Sequence, residues 1–365
     1  MQLYPSLITD TLATVRYPGN GKNIVEAGMV ADDIRIDGDS VSFTIVFPKP
    51  TDPFMKSVVK AAEVAIHTHI SPDVKVTINT ASVQPAAPKA APVLPGVKNI
   101  VGVSSGKGGV GKSTVAANLA VALANEGYKV GLLDADIFGP SVPKMFGIED
   151  EQLYLHEVDG RNLILPVERY GVKILSIGFL VDRDKAVMWR GSMASNALKQ
   201  LICDADWGEL DYFLIDMPPG TSDIHLTLVQ TLAMTGVVVV TTPQEVALAD
   251  ARKGIAMFQD SKVNVPILGL VENMAYFTPA QHPDERYYIF GREGGVRLAE
   301  KLGVKLLAQI PLVASISDSG DNGQPIAMAD SITGEAFRHL AREVVDAVDT
   351  RNSNLPPTTK VELKH

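Results

Sequence analysis

The string GKGGVGKST, Gly106 to Thr114, constrains this chain more than any other stretch of its sequence. It lies between a short apolar run, Ile100 to Val103, and a segment with helical spacing. It fits G-x-x-x-x-G-K-[ST] in the strand-to-helix context that gives the pattern its meaning. Glycines at 106, 108, 109 and 111 let the backbone curl so that its N–H groups, including those of Lys107 and Val110, point inward at phosphate oxygens. The N-terminus of the following helix adds the positive end of a dipole. Lys112 brings a full charge to the β- and γ-phosphates, and Ser113, followed by Thr114, offers a hydroxyl to Mg²⁺. A Gly-rich turn that happens to contain Lys-Ser is the plain alternative, and the flanking strand and helix argue against it.

The rest of the chain supplies the frame such a loop needs. Short apolar runs at Val130–Leu133, Tyr212–Ile215, Val237–Val240, Ile267–Val271 and Leu306–Ile310 alternate with helical patterns. Continuous apolar strands of this kind imply an α/β fold with a mainly parallel sheet covered on both faces. Ligands in such sheets bind beyond the carboxyl ends of the strands. Two of these runs end in carboxylates: LLDADIFGPS carries Asp134 and Asp136, and YFLIDMPPGTSD carries Asp216. An Asp ending a strand is usually a turn or cap residue. Two such segments following a phosphate loop read instead as groups that orient the attacking water and, at Asp216, hold Mg²⁺. Gly220, after two prolines, is placed to offer its N–H to the γ-phosphate.

At 365 residues two domains are expected. The Ala/Pro-rich stretch 84–97 reads as a semi-rigid linker. It separates a small α+β domain, 1–83, from the nucleotide-binding domain, 98–350, with 351–365 as a flexible tail broken by two prolines. In the small domain, helical spacing covers 5–15 and 54–69, period-two strands cover 40–47 and 74–78, and Pro18 to Gly21 form a turn. A formal net charge of −9 argues against nucleic acid or an anionic membrane as the main partner. No run approaches the roughly 20 apolar residues of a membrane span. The first residues, MQLYPSLITD, lack the basic and apolar segments of a secretory signal. One cysteine, Cys203, excludes an intramolecular disulfide, so the cytoplasm is the expected compartment.

Lys107 makes the loop read K-G-G-x-G-K-[ST]. This resembles the deviant phosphate loop of the dimeric ATPases that include MinD, ParA, the nitrogenase iron protein and ArsA. The resemblance implies a homodimer in which Lys107 reaches the partner subunit's nucleotide, and it makes Asp136 the water-orienting carboxylate with Asp134 in support. WRGSM at 189–193, WGELDYFLIDMPPGTSD at 207–223, and ENMAYF with IFGREGG further on are similar to the Mrp/ApbC (Nbp35-like) family. That resemblance covers about 97–350. It implies an ATP-dependent iron–sulfur cluster carrier that delivers clusters to apo-proteins, hydrolyses ATP slowly, and contacts adenine at Asn273. A structural turn is the other reading of Asn273. NIVEAGMV, 23–30, resembles the small assembly-associated domain found before this ATPase in bacteria.

The chain departs from the family in both domains: where the N-terminal relatives often have an exposed cysteine this chain reads FPKPTDPFM, and their acidic D-P-E turn appears as RYPGN. Members that hold a cluster carry C-x-x-C just after ENM-x-x-F, where this chain reads FTPAQHPDERYYIFG, 277–291. No cluster ligand is identified. His282 and Asp284 occupy the substituted loop but are poor replacements, since most protein-bound clusters need thiolates. Cys203 is expected to be a buried, inert side chain at a helix end. His67 and His69 are two apart, a poor chelate on a helix. His225, after the switch-like GTSD, reads either as a nucleotide-sensing side chain or, more simply, as one that packs at a helix N-terminus. Three functions follow: a nucleotide-gated cluster carrier, a cysteine-free ATP-switched adaptor in cluster assembly, and a positioning ATPase of the MinD/ParA type. The last expects a basic amphipathic tail, which RNSNLPPTTKVELKH is not.

Overall fold

The computed structural model describes residues 3–49, 52–82, 93–158, 160–180, 191–279, 282 and 285–361. The chain divides into two units, Met1–Ala91 and Pro92–His365.

The first unit contains α1 (Pro5–Leu12), β1 (Arg35–Asp37), β2 (Ser40–Phe47), α2 (Met55–His69) and β3 (Lys75–Ser82). The period-two pattern of β2 turns Val41, Phe43, Ile45 and Phe47 to one face. There they pack with Ile8 and Leu12 of α1 and with Val58, Ala62 and Ile66 of α2. β2 pairs antiparallel with β1 and parallel with β3. The short β1 carries no period-two apolar signal and was not expected from the sequence.

The second unit opens with β4 (Val97–Ser105), α3 (Lys112–Asn125), β5 (Val130–Asp134), α4 (Val142–Phe146), β6 (Tyr154–Val158), β7 (Arg161–Leu165), β8 (Val167–Arg169) and β9 (Val172–Ser176). It continues through α5 (Gly191–Cys203), β10 (Leu210–Asp216), α6 (Asp223–Thr231), β11 (Gly236–Thr241), α7 (Glu245–Gln259) and β12 (Ile267–Glu272). It ends with α8 (Gly294–Leu302), β13 (Leu306–Gln309), α9 (Ala314–Asp321) and α10 (Ile332–Asn354). An eight-stranded sheet in the order β13-β12-β11-β4-β10-β5-β9-β8 is parallel except at its β8 edge. Alternate residues of each strand serve two core layers. Val101, Val103, Leu132 and Leu214 face α3 and α10, whereas Ile100, Leu133, Phe213 and Ile215 face α5, α6 and α7. All six expected strands are present. β6 to β9 were not expected: the β6–β7 hairpin is largely exposed, so its burial gives no apolar run to read.

Two boundaries differ from the sequence reading. Residues 93–97 belong to the second unit rather than to a linker, because Leu94 is buried and Gly96 accepts a hydrogen bond from Leu210 N at 2.9 Å. The part of the linker from 84 to 92 lies outside the described residues. The expected tail from 351 is also corrected. α10 runs through Asn354, ending just before Pro356, and the chain beyond it is tied down. Thr358 Oγ1 donates to Ala233 O at 3.2 Å, and Val361 N donates to Val229 O at 3.1 Å. Among the described residues no helix is long and apolar enough to cross a membrane.

Candidate nucleotide-binding site

The carboxyl ends of β4, β5, β10 and β12 bring the sequence-selected residues together. Between β4 and α3 the chain turns through Gly106 to Gly111. Gly106 has no room for a side chain: a Cβ there would drive into the backbone of α7 at Asp250 and Ala251. Gly111 takes φ +81°, and a Cβ on it would collide with Asn273 Nδ2. Gly108 and Gly109 are exposed, Val110 is buried, and Thr114 is half-buried with its carbonyl accepting from Asn118 Nδ2 at 2.9 Å. Lys107 is half-buried, and its carbonyl accepts from Ser105 Oγ at 2.9 Å.

Lys112, the first residue of α3, lies at the centre. Its Nζ is 2.6 Å from Asp216 Oδ1, 3.3 Å from Asp136 Oδ2 and 3.2 Å from Ser113 Oγ. Lys112 is 6% exposed and Asp216 0%, so this is a buried ion pair. Burial works to lower the lysine's pKa, but Asp216 and Asp136 hold it above its ordinary value. Burial raises the Asp216 carboxyl against the pull of Lys112. Asp216 Oδ2 is buried with no hydrogen-bond partner among the described residues.

Asp134 plays a different part. Its Oδ1 accepts from Asp136 N at 3.1 Å, and its Oδ2 accepts from Val142 N at 3.2 Å and Ser176 Oγ at 2.9 Å. It is a bracket that aims the Asp136 loop. Burial, and then the charge on Asp216, push its pKa up to about 8. Ser176, at the end of β9, was missed by the sequence reading. Its only signal is a hydroxyl closing the run VKILS.

Gly220, with φ +76°, donates its N–H to Ser105 O at 2.9 Å. Asn273 Nδ2 donates to Val110 O at 2.8 Å, so its side chain fastens the β12 loop to the phosphate loop. A cavity of about 440 Å³ opens beside it, lined by Gly111, Thr114, Asn273, Met274, Pro311 and Leu312. The preceding Glu272 is fully buried and was also missed. It accepts from Gly295 N at 2.6 Å and holds the start of α8.

The remaining candidates lie apart from this cluster. Cys203, the last residue of α5, is exposed, which corrects the expectation of a buried thiol. The helix ends there and leaves it at the surface, while partial burial and then Asp204 push its pKa up. His282 is exposed, with Nδ1 3.8 Å from Glu285 Oε1; Asp284, Trp189 and Arg190 lie outside the described residues. His67 Nε2 is 3.0 Å from Val74 O, a structural contact in the first unit. His225 is buried in the first turn of α6 as expected, and burial lowers its pKa to about 4. The loop 277–287 is closed by reciprocal backbone hydrogen bonds between Phe277 and Tyr287, at 2.8 and 2.9 Å. Arg286 stacks 4.3 Å over the Tyr276 ring. No group of three or more metal-ligating side chains occurs among the described residues.

Fold and loop chemistry together define a P-loop NTPase of the MinD/ParA-like class. A Pyrococcus horikoshii MinD bound to Mg-ADP matches at TM-score 0.50 and 26% identity, over 69% of this chain and 98% of that one. A nucleotide-binding protein from Archaeoglobus fulgidus, solved with ADP, matches at TM-score 0.55 and 39% identity, over 63% and 88%. The chain belongs to the family described as ParA: NUBPL iron-transfer P-loop NTPase, which matches residues 96–345. Residues 6–80 match the iron–sulfur cluster assembly protein family. A Synechocystis sp. relative called iron–sulfur cluster carrier protein is 43% identical over 351 residues, covering 94% of this chain and 98% of its own length.

Proposed function

We propose that this chain is a cytoplasmic, homodimeric ATPase that binds iron–sulfur clusters and hands them to apo-proteins. The observation that carries the nucleotide part is the buried cluster of Lys112, Asp136 and Asp216 at the mouth of the phosphate loop. Two carboxylates, Asp136 and Asp216, contact one ammonium there, the charge of Asp134 acts on it more weakly, and a polyphosphate brings further negative charge. A cation must enter with it. The residues fit Mg²⁺: Asp216 has a buried carboxylate oxygen with no hydrogen-bond partner among the described residues, and the Ser113 hydroxyl lies close by, 3.2 Å from Lys112 Nζ. Bound there, the ion supplies charge neutralisation on the phosphate oxygens.

Lys112 then transfers from Asp216 to the β- and γ-phosphates, and Asp136 orients the attacking water. Gly220 N–H serves the γ-phosphate, and the cavity beside Asn273 takes the adenine. Lys107 reaches the partner subunit's nucleotide. The names of the relatives support the cluster-transfer part. Lys112→Ala tests the nucleotide site: ATP binding and hydrolysis are expected to disappear, and parental turnover would refute the assignment.

A second reading, a cysteine-free adaptor that is switched by ATP and holds no cluster itself, is favoured by the donor set. The chain's single cysteine is at the end of α5, while the loop 277–287 is closed on itself by backbone and aromatic contacts. Clusters are held chiefly by thiolates. Iron and acid-labile sulfide per dimer after anaerobic reconstitution, parent against Cys203→Ser, separate the two. Stoichiometric cluster lost in the variant makes Cys203 a ligand. Neither protein holding iron, with ATP turnover intact, puts the adaptor reading ahead of the carrier.

A further inference from the structure

The loop between β10 and α6, Met217 to Ser222, is fastened at both ends and, between them, by Gly220 N donating to Ser105 O at 2.9 Å. At one end Met217 N donates to Val103 O at 3.0 Å. At the other, Ser222 N donates to His225 Nδ1 at 3.2 Å, and His225 N donates to Ser222 O at 3.0 Å. Because a backbone N–H can only donate, Nδ1 must be the bare nitrogen, and the neutral ring carries its proton on Nε2. That Nε2–H is buried and has no hydrogen-bond partner among the described residues. His225 as a whole is 1% exposed. The Pro218 carbonyl is close enough to act on the ring's protonation, yet its geometry does not make a hydrogen bond.

A buried donor left open is rare and needs a reason. The reason lies five residues back along the chain, where Gly220 N–H is turned onto Ser105 O. To meet a γ-phosphate, that amide must leave Ser105, and the Pro218–Thr221 segment must shift with it. We propose that His225 is the positioning residue of this loop. Its waiting Nε2–H closes onto the Pro218 carbonyl when Gly220 turns to the γ-phosphate, and so favours the triphosphate-bound arrangement over the diphosphate one. This rests on the nucleotide-site reading above. In energetic terms the ring contributes only through a contact that differs between the two states, which is the condition for any ligand-driven shift.

Two substitutions separate the ring's two nitrogens. Asn reaches the Nδ1 position and can still accept from Ser222 N, whereas Gln places an N–H donor near the Nε2 position. The readout is the ratio of affinities for ATPγS and ADP, measured by titration calorimetry with Mg²⁺ present. His225→Gln is expected to keep the parental ratio. His225→Asn is expected to bind ADP as the parent does but to lose about fivefold or more of the preference for ATPγS, the worth of one hydrogen bond. Equal ratios in parent and His225→Asn would overturn the proposal, as would loss of ADP and ATPγS affinity in equal measure. A second measurement needs no variant. With ¹⁵N-labelled histidine, the His225 Nε2–H resonance of the parent should move downfield with ATPγS and stay put with ADP. An identical position with both nucleotides would sink the idea even if His225→Asn failed to fold. If Lys112→Ala binds nucleotide like the parent, the site reading itself has failed, a result independent of the His225 ratios.

Discussion

Asp216→Asn is the substitution whose outcome follows most directly from the geometry. In the structure, Lys112 Nζ sits 2.6 Å from a fully buried Asp216 oxygen. A nucleotide arriving without Mg²⁺ draws the lysine onto its phosphates and leaves Asp216 as an uncompensated buried charge beside new negative charge. A hydrogen bond to a charged group contributes about 1.5–3 kcal/mol. Taking about 2 kcal/mol as the cost of breaking this one, removal of the charge should tighten Mg²⁺-free ATP binding by about 30-fold. With Mg²⁺ present the effect reverses, because the variant lacks the carboxylate that compensates the ion. Calorimetric titration of ATP in EDTA and in excess Mg²⁺ measures both limbs. The parent should show a large gain from Mg²⁺ and Asp216→Asn almost none. If the variant binds ATP in EDTA no more tightly than the parent, the ion-exchange reasoning is wrong.

Lys112→Ala leaves Asp216 and Asp136 without their cation, so the folded protein should lose about 3 kcal/mol, read by urea unfolding. The loss should be larger at pH 8 than at pH 5.5, because burial holds the stranded Asp216 carboxyl above its unfolded value and it penalises folding as it ionises. Lys107→Ala, which removes a half-buried loop cation and no core contact, should retain ATP binding but lose turnover and ATP-dependent dimerisation; light scattering with ATP and Mg²⁺ checks this. Gly106→Ala forces a Cβ into the α7 backbone and should cost about 2 kcal/mol, lowering Tm by about 5 °C in calorimetry. His225 has a folded pKa of about 4 against an ordinary 6.5, so between those values the unfolded chain binds more protons. Its contribution is fully present above pH 6.5 and lost as pH falls to 4. On acidification from pH 6.5 to 4 the parent should therefore lose about 3 kcal/mol more than His225→Gln, by unfolding at each pH.

The phosphate loop, the strand-ending carboxylates and six sheet strands were legible because each is a local pattern with one physical cause. A fully buried parallel strand must be apolar throughout, and a loop that cradles phosphate must be rich in glycine. What escaped depends on contacts distant in sequence. Asp134 reads as a second acid of the site, but its partners are Val142 and Ser176, and only the pairing of β9 with β5 brings Ser176 to it. Asn273 reads as a base contact, and the structure occupies its amide with Val110, 163 residues away in sequence. The segment after α10 reads as a broken tail because Pro356 and Pro357 do stop the helix. Its hydrogen bonds to Val229 and Ala233 follow from chain reversal, which carries no periodicity.

The loop 277–287 is rooted beside the phosphate loop through a short, continuous set of contacts. Asn273 Nδ2 holds Val110 O of the phosphate loop, Ala275 N donates to Ile310 O, and Leu312 N donates to Tyr276 O. Phe277 then pairs with Tyr287 to close the loop. Met274, between the first two of these contacts, has φ +54°, a conformation that an unbranched L-residue adopts only under local constraint. Leu312 also lines the cavity beside Gly111. Both contacts fall on residues 273–277, so a base seated in that cavity would touch the segment that pairs with the root of the loop.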